Sequence, residues 1–122
     1  MSIPHAQSGE AIQVAPFAQD LPQQRTVALF KSEQLEVMRL VLLAGKSMPA
    51  HKVAGEITIQ CIEGSLHIEI NGARTLLKAG QLVFLLGEVP HSVTALEDAS
   101  ALVTIVLCKL PTAPRNAAGA LP

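Results

Sequence analysis

The sequence predicts a single all-β domain, a sandwich or small barrel. Three observations carry that expectation. Between about residues 25 and 110, apolar side chains recur with a period of two rather than 3.6. Gly45, Gly64, Gly72 and Gly80 cut this pattern into short segments. No segment combines helical spacing with recognisable caps. Several short strands at regular spacing are the mark of a sandwich or barrel.

The elements follow in order. Residues 26–30 make a short strand. Residues 34–40 alternate polar and apolar and run on into Val41, Leu42 and Leu43, predicting a long strand that Gly45 ends. Residues 56–62 are rich in β-branched side chains and stop at Gly64. Leu66, Ile68 and Ile70 alternate with His67 and Glu69. Asn71-Gly72 then predicts a tight hairpin, because both residues tolerate the positive φ of a type I′ turn. The return strand covers residues 73–77. Residues 81–86 are nearly all apolar and predict a strand buried on both faces. Residues 90–96 and 100–110 complete the set. The expected organisation is an N-terminal arm at 1–24, a barrel at 25–110 and a loose C-terminal tail at 111–122.

Composition narrows the function. Of 122 residues, 49% are hydrophobic, enough for a core, but only three are aromatic, all Phe, so that core is aliphatic. Nine Lys and Arg face ten Asp and Glu, which leaves no basic excess to neutralise phosphates and argues against a nucleic-acid partner. No apolar run approaches the roughly 20 residues of a spanning helix, and residues 1–19 lack the basic and apolar regions of a secretory signal. Cys61 and Cys108 have no CxxC spacing and read as buried thiols of a reduced, cytoplasmic protein. Cys61 has core packing as its default role, and Cys108 core or interface packing.

Four histidines are candidates for chemistry. His5 lies in the arm, and His67 sits on a solvated strand face. His51 and His91 each closely follow a proline, Pro49 or Pro90, and each is expected at the start of a strand, where a side chain is held rigidly at a barrel mouth. Arg39 falls on the alternating, solvated face of the long strand; on a face lining the mouth it would be placed to bind a carboxylate. Lys52 is expected to point away from His51, and Glu88 to be a solvated loop acid.

The spacing around the two histidines resembles the cupin superfamily. Gly45 is followed by five residues and His51, and Gly64 comes thirteen residues after His51, in the glycine frame of the first cupin motif. The stretch from Gly80 to Pro90-His91 resembles the second motif, with Gln81 in place of its Asp and Leu86-Gly87-Glu88 in place of its proline-rich bend. The resemblance spans about residues 27–107. It implies a double-stranded β-helix, the jelly-roll barrel of that superfamily, and a metal held by two His and a Glu or Gln from the first motif with a His from the second.

Carried over residue by residue, the first and last histidines match His51 and His91. The second-His position falls on Val53 and the acidic position on Ile57, neither of which ligates. Glu56 and Gln60 are the nearby oxygen donors; either joins the histidines only if a bulge in that strand re-aims it, since a one-residue slip turns a side chain to the other face. The expected pocket is therefore His51, His91, Gln60 and Glu56, and the expected metal set is His51, His91 and Glu56.

Three functions follow. The first is a small-molecule-binding protein with His51 and His91 as polar handles in an aliphatic pocket. The second is a metal-dependent enzyme, a dioxygenase or isomerase acting on a small oxygenated substrate, with one divalent Fe, Mn, Ni or Zn. The third is a structural dimer module without a pocket. A homodimer is expected in each case, with residues 26–30 as the strand to exchange across a two-fold axis.

Overall fold

The computed structural model describes residues 5–107. Cys108, residues 108–110 of the expected last strand and the tail at 111–122 lie outside the described residues. Among the described residues a short 3₁₀ helix, Ala18–Gln23, precedes nine strands: β1 Val27–Lys31, β2 Leu35–Leu42, β3 Ser47–His51, β4 Ile57–Glu63, β5 Ser65–Ile70, β6 Ala73–Lys78, β7 Leu82–Leu85, β8 His91–Ala95 and β9 Ala99–Val106. They form two antiparallel sheets, one in the order β1-β2-β9-β4-β7 and the other β3-β8-β5-β6. This is the expected jelly-roll arrangement.

Strand alternation decides which side chains meet. Ile57, Ile59 and Cys61 of β4 share the inner face with Ala101 and Val103 of β9 and with Leu40 of β2. From the second sheet Leu66, Ile68, Val93 and Ala95 face them. Large aliphatic side chains on β4, β5 and β8 meet small ones, Ala99 and Ala101, on β9, an alternation that lets the two layers interdigitate. Asn71 and Gly72 take φ values of 52° and 81°, as the hairpin requires. Gly64 has φ 77°, and a Cβ there would collide with the Asp98 carbonyl and Ala99, so glycine is the residue that fits between β4 and β5.

The structure departs from the sequence-based expectations at several elements. β3 was not legible as a strand, because Pro49 interrupts it. β7 is not buried on both faces: it is an edge strand, with Leu82 59% and Phe84 55% exposed. An apolar run says that a strand is hydrophobic on both sides, not that both sides are covered. β1 pairs with β2 through a register shift between Ala28 and Phe30.

The lead-in, expected to pack loosely, is clamped to the outer face of the five-stranded sheet. Leu21 is buried, and the Phe17 ring lies 4.1 Å from the Arg39 guanidinium. Arg39 is only 2% exposed, not solvated as its place in the alternating strand suggested. Its Nη2 donates to the Ala15 carbonyl at 2.8 Å, to Ser100 Oγ at 3.0 Å and to Glu63 Oε2 at 3.3 Å. Glu63 also accepts from the Phe17 and Ala18 N–H groups and from Ser100 Oγ at 2.6 Å. A bulge puts Glu63 there. Cys61 pairs with Ala101 and Glu63 with Ser100, so Ile62 is the extra residue and Glu63 turns to the outer face.

Burial pushes the Glu63 carboxyl up. The bonds from Ser100, Phe17 and Ala18 and the charge of Arg39 outweigh it and hold the group below its ordinary value. A carboxylate whose pKa is depressed by folding adds stability above its unfolded value, and that stability drains away as pH falls through the folded value. Urea unfolding should therefore show stability falling as the medium is acidified below about pH 4.3, with Glu63→Gln flattening that slope. At neutral pH the same change should cost about 3 kcal/mol, because it leaves Arg39 buried without its counter-charge.

Candidate functional site

His51 ends β3, where the sequence suggested a strand start, and His91 opens β8; the two stand opposite each other in register. His91 shares the inner face with Val93 and Ala95 and pairs with Ile70 of β5. On β3, Met48 pairs with Val93 and His51 with His91, so three residue steps match two. In an unbroken strand Met48 and His51 would point to opposite faces. The bulge at Pro49 and Ala50 resets the alternation and turns His51 to the inner face beside His91. Pro49 suits the bulge, since it has no N–H to contribute to the ladder.

The two imidazole rings have centroids 4.5 Å apart and planes inclined at 53°. His91 is buried and His51 is exposed, so the pair runs from the barrel interior to solvent. His51 Nδ1 lies 3.1 Å from the Pro49 carbonyl, and His91 Nδ1 lies 3.0 Å from the Val89 carbonyl. A carbonyl oxygen only accepts, so each Nδ1 is the donor. In the neutral rings both Nε2 atoms then carry free lone pairs.

The loops that follow β3 and precede β8 lock this geometry. Glu88 N–H donates to the Val53 carbonyl at 2.7 Å. Gly87 lies against the Ala54 carbonyl so closely that a Cβ would collide with it. Lys52 and Glu88 pair at 3.5 Å on the surface, an exposed contact worth little by itself.

The other candidates are not brought to the histidines. β4 keeps a regular register from Ile57 to Cys61, with its bulge at the far end. Ile57 and Ile59 therefore hold the inner positions, and Gln60 points outward between Leu82 and Leu102. Glu56 lies exposed ahead of β4, where its carbonyl accepts from Val106 N–H. The expected set of His51, His91 and Glu56 does not assemble: among the described residues no three His, Cys, Asp or Glu side chains gather into a cation site. Two imidazoles are fewer than the three protein ligands a first-row metal site ordinarily has, so the residues present do not fit a complete metal centre of the family type. His67 lies half-buried on β5 opposite Thr94 and Leu76, away from the pair. Cys61 is buried and free, and burial pushes its thiol pKa up, which marks it as a core residue rather than a nucleophile. The signal that sequence reading missed was Pro49 as the mark of a bulge two residues before a histidine.

The cupin domain family matches residues 38–108, more than half of the chain. A conserved protein of unknown function from Streptococcus pyogenes has a similar structure, with a TM-score of 0.70 at 18% identity, covering 90% of this chain and 97% of that one. An RmlC-like cupin from Desulfovibrio desulfuricans gives a TM-score of 0.63 at 27% identity, covering 84% of this chain and 97% of that one. A salicylate 1,2-dioxygenase variant from Pseudoaminobacter salicylatoxidans gives 0.61 at 20% identity, covering 76% of this chain and 28% of that one. No curated protein sequence matches the chain.

The hydrogen bonds dictate a tautomer, which nitrogen-detected NMR reads directly. In their neutral forms both His51 and His91 should appear protonated at Nδ1. A ring at His91 protonated at Nε2 would mean that the Val89 carbonyl does not set its orientation.

Proposed function

The chain belongs to the cupin family, and from that premise we propose that it binds a small organic molecule at the His51–His91 end of the barrel. One observation carries the reading: two imidazoles 4.5 Å apart whose Nδ1 atoms are both committed to backbone carbonyls. The pair adjoins an apolar interior that includes Val93 and the half-buried Ile70 and Met48. A few convergent polar groups on an apolar wall are the usual anatomy of a small-molecule site. The matching ligand is a small oxygenated compound with adjacent hydroxyl or N–H donors.

The metal-dependent enzyme reading lacks its third ligand among the described residues. The cupin barrel itself serves enzymes as well as binders, as the dioxygenase neighbour illustrates for the fold. We further propose that the chain works as a homodimer, joined through the outer face of the five-stranded sheet. Leu82 and Phe84 stand more than half exposed there, in rows with Gln60, Leu102, Thr58 and Thr104, and none of these carries a charge. A cytoplasmic home belongs to the same reading, since the Cys61 thiol is free and buried.

Thermal-shift screening of small hydroxylated compounds tests the site. His51→Ala, at an exposed position, should change stability by no more than about 0.5 kcal/mol and abolish the ligand-dependent shift. Near-stoichiometric Fe, Mn, Ni or Zn in untagged protein, lost in the same variant, would instead sink the metal-free reading. Light scattering tests the dimer: Phe84→Glu should yield a folded monomer, and a wild-type monomer would refute the interface.

A further inference from the structure

The lead-in is held to the barrel by polar contacts gathered at one point. Residues 5–24 contribute no side chain to the hydrophobic core, which is drawn from β2 and the elements after it. Leu21 is the buried side chain of this segment; Ile12, Val14 and Phe17 are half-buried, and most of the rest are exposed. Among the described residues, the Ala6 N–H reaches the Leu29 carbonyl of β1, and every other hydrogen bond from the segment to the sheet ends on Glu63 or Arg39. The Phe17 N–H donates to Glu63 Oε2 at 2.9 Å and the Ala18 N–H to Oε1 at 3.0 Å. The Ala15 carbonyl accepts from Arg39 at 2.8 Å, and the Phe17 ring covers the guanidinium.

A segment with little apolar burial, fastened by a few polar contacts, opens more readily than the core beneath it. The fastening is also strained. Ala18 sits at φ 57°, in the left-handed region that a residue with a Cβ rarely adopts. Opening relieves that strain, and closure opposes it through the bond from the Ala18 N–H to Glu63.

We propose that the lead-in is a strap that opens as a unit when Glu63 takes up a proton, while the two sheets stay folded. The groups facing the carboxylate are Arg39 of β2, Ser100 of β9 and the Phe17 and Ala18 N–H groups of the strap. On its own strand, the Cys61 thiol donates to the Glu63 carbonyl. The neighbouring acids are engaged elsewhere: Asp98 accepts from the Ala44 N–H and Glu97 from Ser65 Oγ. Asp20 of the 3₁₀ helix is exposed. Protonation removes the charge that Arg39 faces and turns one acceptor oxygen into a donor among donors. Folding holds the Glu63 carboxyl below its ordinary value. Closure is therefore favoured above about pH 4.3 and is lost as pH falls through the folded value. Opening bares Arg39 and Ser100 on the outer face, beside their strand partners Leu102 and Val41. The His51–His91 site takes no part.

Amide NMR follows strap and barrel in one sample of the full chain. On acidification below about pH 4.3, the Phe17 and Ala18 peaks should move to unstructured positions while those of Ile59, Leu66 and Val103 keep native ones. Glu63→Gln carries the neutrality of the protonated group at every pH. At neutral pH it should speed exchange of the Phe17 and Ala18 amides on the order of 100-fold, the effect of removing the partner of a buried charge. Its strap peaks should not respond to acid over the same range. Three results would overturn the proposal: native Phe17 and Ala18 peaks lost only together with those of Ile59 and Val103, unchanged exchange in Glu63→Gln, or an acid response that survives in that variant. The first would make the lead-in part of the barrel's cooperative unit, and it is decided by the wild-type titration even if the variant fails to fold. The last would assign the response to another carboxylate.

Discussion

Strand alternation is the constraint on which the rest of this structure depends. In a two-layer β fold each side chain is committed to the core or to the outer face by its count along the strand. The aliphatic composition makes that commitment strict, because Ile57, Ile59, Ile68 and Val93 have no polar group with which to tolerate the wrong side. A functional polar residue reaches a chosen face only if it falls on the right count or if an inserted residue changes the count. Two one-residue insertions do this here. The bulge at Pro49 and Ala50 turns His51 inward beside His91, and the bulge at Ile62 turns Glu63 outward to Ser100 and Arg39.

The two sites made this way are of opposite electrostatic kind. At the barrel end the backbone does the presetting: two carbonyls hold the two Nδ1 atoms and fix how the rings are turned. On the outer face a carboxylate and a guanidinium are taken out of water together. Burial pulls the Arg39 guanidinium down, and the charge and hydrogen bond of Glu63 oppose it. The pair is repaid by the hydrogen bonds that Ser100, Phe17 and Ala18 give to Glu63, and its effect is to fasten the lead-in onto the sheet.

Much of the fold was legible locally. Alternation revealed β2 and β5, and Asn71-Gly72 announced the hairpin to β6 because its backbone angles suit so few residues. The glycine frame and the two Pro-adjacent histidines pointed to the barrel end. What failed failed for non-local reasons. β3 was hidden by the proline that makes its bulge. β7 read as buried because hydrophobicity reports what a strand prefers to touch, not which sheet edge it occupies. Arg39 read as solvated because its cover, the lead-in, lies more than twenty residues earlier in the chain.

By itself the sequence determined an all-β sandwich or barrel with an aliphatic core, from period and turn chemistry that act over a few neighbouring residues. That His51 and His91 belong to one site was implied by the resemblance to the cupin motifs. Only the tertiary structure decided which faces the remaining polar residues take. It put Gln60 outside, left Glu56 in the loop, and enclosed Arg39 and Glu63 beneath the lead-in. The physical reason is that a bulge is defined by the partner strand against which residues are counted, and that partner is chosen by the packing of the two sheets.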